Sequence, residues 1–135
     1  MGAWGPGVFE NDCAGDWVDE LEGSTDLSCV EEIFETIVEM GDDYIEVDEG
    51  SAAVAACEVV ARLAGKPGEK DTDSGPVDEW VAANPQSPPP ELVKTALAIL
   101  ERIRTEPSEL LELWEEEGSG EWLAVIDDLR SRLAS

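Results

Sequence analysis

From Asn11 onward, apolar side chains return at every third or fourth position, in stretches broken by glycine and proline. That spacing lays one apolar stripe along an α-helix. The first stretch turns Trp17, Val18 and Leu21 inward. Asn11 reads as its N-cap, Asp12 suits the positive end of the helix, and Gly23 stops it. In the second, Ser28 and Glu31 have the spacing of a capping box. Val30, Ile33, Phe34, Ile37 and Val38 form its apolar side, with Glu31, Glu32, Glu35 and Glu39 mainly opposite. Gly41 ends it, and Asp42-Asp43-Tyr44 makes the turn.

The most apolar stretch runs from about Glu49 to Ala64. Val54, Cys57, Val60, Ala61 and Ala64 share one face, widened by Ala52, Ala53, Ala56, Val59 and Leu63. So broad a face predicts a central helix touching several neighbours. Its polar strip is narrow: Ser51, Glu58 and Arg62, the last two a favourable i,i+4 pair. A polar loop at 65–75 precedes a short helix from Pro76 to Ala83. A proline-rich connector at 84–90 leads to a helix carrying Leu92, Val93, Ala96, Leu97, Leu100 and Ile103. Ser108 to Glu117, with Leu110, Leu111 and Trp114, and Gly120 to Ala134, with Trp122, Leu123, Ile126, Leu129 and Leu133, complete the pattern. Only Tyr44 to Val47 could be a strand, and it is too short to found a sheet. The expectation is all-α: one domain over 1–135, an irregular bundle of about six or seven helices with a glycine-rich arm at 1–9. In that arm Trp4 and Phe9 serve as structural anchors, beside Asn11, Trp17 and Trp114.

Charge changes the picture most. The sequence has 33 acids, 8 bases, no histidine and a net charge of −25. The first basic residue is Arg62, and seventeen of the acids precede it. Such a surface repels nucleic acid and anionic membranes and attracts basic partners. No apolar run is long enough to span a membrane and no signal segment opens the chain, so a soluble, cytoplasmic protein is expected. Asp12, Asp16, Asp42, Asp43, Glu46, Asp48 and Glu49 are the candidate contact residues for a basic protein.

Catalytic and metal chemistry find little footing. Cys13, Cys29 and Cys57 form no Cys-x-x-Cys pair and read as buried, reduced thiols. No histidine is present to activate a serine or cysteine, or to complete a helical di-metal motif. Asp71-Thr72-Asp73-Ser74-Gly75 starts like a calcium loop, but the glycine comes one place early and Ala82 stands where a glutamate is required. The glycine-rich arm follows no strand and precedes no lysine, unlike a phosphate loop. No enzyme, cofactor or metal is expected. Convergence of Asp12, Asp16, Asp42, Asp43 and Glu46 is what a carboxylate metal site would need.

The opening Gly2-Ala3-Trp4-Gly5-Pro6-Gly7-Val8-Phe9-Glu10-Asn11-Asp12, followed by Asp16-Trp17, resembles a bacterial family catalogued as domain of unknown function 4259. Asp43-Tyr44-Ile45-Glu46, the alanine-rich helix from Ser51 to Leu63 with Glu58, and Ser108 to Glu116 resemble it too. The resemblance implies a small bacterial intracellular protein with no activity attached. Cys13 stands where that family leads one to expect a polar residue, which argues against a functional thiol. Three functions follow: a binding protein docking a basic partner, of immunity, inhibitor or nucleic-acid-mimic type; an acidic domain adapted to salt or solubility; and a carboxylate metal-binding protein.

Overall fold

The computed structural model of the chain describes residues 8–9, 11–66, 68, 74–118 and 120–134. Seven helices run in order: α1 Asp12–Glu22, α2 Ser28–Met40, α3 Val47–Leu63, α4 Gly75–Ala83, α5 Pro90–Ile103, α6 Glu109–Glu117 and α7 Gly120–Ala134. No strand occurs among the described residues. One parallel bridge pairs Ile45 with Ser108, so the one strand-like segment of the sequence lends a single rung and no sheet. The all-α expectation holds. The arm reading and its Trp4 anchor lie outside the described residues, as does Asp71-Thr72-Asp73.

α3 is the axle of the fold, in contact with each of the other six helices. Every residue from Gly50 to Arg62 is buried, which a helix achieves only when neighbours cover its whole circumference. The small residues Gly50, Ser51, Ala52, Ala53, Ala55 and Ala56 make this feasible by letting helices approach closely. A Cβ at Gly50 would meet Leu110 of α6 at 3.6 Å. On the α5 side, the Cys57 thiol reaches the Ala96 carbonyl at 3.6 Å.

Capping follows the sequence in part. Asn11 accepts from the Ala14 amide at 2.8 Å and caps α1, and Ser108 accepts from Leu111 to open α6. The capping box is corrected. Leu27 is the N-cap of α2 and makes no side-chain bond. Asp26 takes over by accepting the Ser28 amide at 3.0 Å, which makes Ser28 the first helical residue.

Two stripes are also rotated from their expected positions. α2 centres on Val30, Phe34 and Ile37, leaving Val38, one step further round, 61% exposed. α5 turns Ala96, Ile99, Leu100 and Ile103 into the core. Leu92, Val93 and Leu97 are therefore only half covered. α3 also starts two residues before the predicted Glu49, at Val47, because Glu109 of α6 accepts the Val47 amide at 2.8 Å and satisfies one of its first-turn donors.

Candidate functional site

The acids proposed for partner contact fall into separate neighbourhoods. Asp12 and Asp16 on α1 and Asp48 on α3 surround Cys13, whose thiol donates to Asp48 Oδ1 at 3.1 Å. Burial first, then the Asp48 hydrogen bond and the charges of Asp48, Asp16 and Asp12, push this thiol up to about 11. It stays protonated near neutral pH and is a poor nucleophile.

Asp42 and Asp43 sit in the turn after α2, fastened from below by Arg102 of α5. Its guanidinium donates to the carbonyls of Gly41 at 2.8 Å and Asp43 at 2.7 Å, so it holds backbone and leaves the carboxylates in water. Glu46 lies near Tyr44, together with Glu109 and Glu112 of α6. Tyr44 is 44% exposed, and desolvation, then Glu112, Glu109 and Glu46, raise its hydroxyl above the ordinary value. Glu49 differs from the rest: it is half-buried, and its Oε2 has no hydrogen-bond partner. Every acid from Asp12 to Asp48 is exposed. Among the described residues, none of them enters an ion pair.

No group of three cysteine, aspartate or glutamate side chains able to hold a metal occurs among the described residues. The thiols are free but less buried than expected: Cys57 is enclosed, Cys13 and Cys29 only half so. Burial raises Cys57 well above its ordinary value, and burial followed by Glu32 and Glu20 raises Cys29. Of the anchors, Phe9 and Trp17 are buried, while Trp114 packs at the core's edge.

The largest departure from the sequence reading is at the C-terminal end of α3. The polar strip of Glu58 and Arg62 is buried, at 2% and 6% exposure. Arg62 Nε donates to Glu58 Oε2 at 3.1 Å and its NH1 meets Asp78 of α4. The guanidinium also stands 5.7 Å from the centre of the Phe9 ring, within cation–π range. Arg132 of α7 grips Glu58 with both terminal nitrogens, at 2.8 and 2.7 Å. It bonds Asp128 at 2.9 Å and the Lys66 carbonyl at 3.0 Å as well. The Gly68 amide adds a contact to Oε2 at 3.2 Å.

Burial works against the Arg132 charge, but Glu58 and then Asp128 outweigh it and hold its pKa above the ordinary value. With both Glu58 oxygens taken, the carboxylate is committed to holding α3, α4 and α7 together and is not placed to act as a general base. The sequence signal was two charged residues inside an otherwise apolar helix. Arg132, 74 positions away, carried no local mark.

Residues 2–125 match the family described as Domain of unknown function (DUF4259). The chain belongs to that family. The match covers α1 to α6 and the start of α7, and stops short of Arg132. No curated protein and no solved structure matches the chain. Among the described residues, no helix is long and apolar enough to cross a membrane.

Proposed function

We propose that this DUF4259 domain is a non-enzymatic, cytoplasmic binding protein whose acidic surface docks a basic protein, in the manner of an immunity protein, an inhibitor or a nucleic-acid mimic. One observation carries the reading. The exposed carboxylates Asp12, Asp16, Asp42, Asp43, Glu46 and Asp48 have no ion-pair partner among the described residues, while the arginines are spent on Glu58, Asp78, Glu101, Asp127, Asp128 and backbone carbonyls. Uncompensated charge of one sign speeds encounter with an oppositely charged surface and selects against acidic partners. Tyr44 and Val38, exposed near the α2–α3 turn, add the aromatic and aliphatic contact that such interfaces need at their centre.

The test is affinity capture from the native host at low and moderate salt, with a variant carrying Asp42→Asn, Asp43→Asn and Glu46→Gln alongside. A basic protein retained by the natural chain and lost by the variant is expected. Retention of the same proteins by both would count against the acidic face.

A second reading is salt adaptation. Arginine outnumbers lysine five to three and acids outnumber bases about fourfold. Unfolding below roughly molar salt would favour it; a stable fold in dilute buffer would favour the docking reading.

A further inference from the structure

Between the end of α3, the start of α5 and the last turn of α7 lies a groove of about 470 Å³, within the usual size of small-molecule sites. Leu63, Val93, Leu97 and Leu133 are among its apolar lining. Among the described residues, the charged ones lining it are Lys66, Lys94 and Arg132, with no acid. In a chain with 33 acids and 8 bases, that lining inverts the prevailing sign. The apolar part has a definite origin: the rotation of α5 that buries Ile99 leaves Val93 and Leu97 half covered at the groove. Solubility alone would favour carboxylates at those positions, as at the exposed Glu91 and Glu101 of the same helix.

The three bases have different duties. Arg132 is committed to Glu58, Asp128 and the Lys66 carbonyl, so it forms a fixed wall. Lys94 is exposed and enters no ion pair among the described residues. Its flexible ammonium is the group best able to meet an incoming anion. An apolar body lying along Val93, Leu97 and Leu133 would bury surface on both sides, and a carboxylate at its end would receive charge-assisted hydrogen bonds from Lys94, with Lys66 adding positive charge.

From this juxtaposition we infer that the groove binds a small amphipathic carboxylate, of the acyl type, tail on the leucines and head at Lys94. The salt response separates it from the docking of a basic protein. The whole molecule repels an anion over distances that salt screens, whereas the contact with Lys94 lies inside the screening length. Carboxylate affinity therefore holds or rises with salt, and affinity for a basic partner falls.

The experiment is an NMR titration of the full chain, labelled at methyl and amide groups, with octanoate, octanol and inorganic phosphate as probes. Saturable shifts of the Val93, Leu97 and Leu133 methyls with octanoate are expected. Binding should be at least about fivefold weaker for octanol, and similarly weaker for octanoate on Lys94→Glu and Lys94→Gln chains, the energy of one charge-assisted contact. Lys94 is exposed, so spectra of these variants away from the groove should match the natural chain. Absence of saturation overturns the inference. So does equal binding of octanol, equal binding to both Lys94 variants, or phosphate binding as tightly as octanoate.

Discussion

The carboxylates of α1 and α2 stand in water with no ion pair among the described residues, whereas Glu58 of α3 is shut inside the fold between two arginines. The same functional group carries opposite consequences in the two places. In water a carboxylate keeps its hydration, so removing it costs little and its charge acts at a distance. Inside, hydration has been exchanged for specific donors, and loss of one donor leaves part of that charge with no water to replace it. Charge that is available to a partner and charge that fastens the fold are thus kept at different sites.

The strongest way to break the comparison is Arg132→Met. It leaves Glu58 with Arg62 and the Gly68 amide, and should cost about 3–5 kcal/mol in urea unfolding. Replacing Glu58, Arg62 and Arg132 together by methionine, with Asp78→Asn to neutralise the carboxylate that Arg62 also holds, should recover most of that loss, because no unpaired charge remains in the interior. A loss below ~1 kcal/mol for Arg132→Met would mean that the pair is solvated after all.

Next comes the outer set. Asp12→Asn, Asp16→Asn, Asp42→Asn and Asp43→Asn combined should change stability by no more than about 1 kcal/mol at physiological salt. The natural chain should gain stability as salt is added, and this variant should gain less, since fewer like charges are left to screen. Thermal melts over a salt series measure both. A large loss of stability would move these residues to the inner class.

A smaller effect sits among the exposed carboxylates, at Cys13. Asp48→Ala removes the hydrogen bond and the nearest charge that help hold the thiol up at about 11, while its burial stays. The thiol should ionise more readily, so alkylation at mildly alkaline pH should quicken several-fold. An unchanged rate would assign the shift to burial alone.

The smallest concerns Asp26, fully exposed yet held below its ordinary 3.8 by hydrogen bonds from Ser28 and then Ser24. A depressed carboxylate stabilises the fold fully above its unfolded value, and that contribution is lost as pH falls through the lower folded value. An NMR pH titration should find Asp26 below the other exposed aspartates, and Ser28→Pro, which deletes the donor amide, should bring it back.

The period of the apolar residues was enough to reveal the helices, because each element needs one covered face and glycine or proline marks where it stops. α3 was legible as central for the same reason, its alanines leaving no polar face wide enough to meet water. What the sequence could not display was relative rotation. Ile99 and Leu97 are both apolar, and only the placing of α2, α3 and α7 around α5 decides which is covered. The Ser28 capping box failed because Asp26, two residues upstream, competes for the same amide. The clasp on Glu58 was hidden by separation in the chain: Glu58 and Arg62 suggest a surface pair four residues apart, and nothing around Arg132 says that it reaches inward.

That clasp also ties together the timing of distant segments. Through Lys66 and Glu58, Arg132 secures the backbone just after α3, including the Gly68 amide. Fraying of the last helix therefore loosens a loop some 66 positions earlier in the chain, and deuterium should enter both places at a common rate.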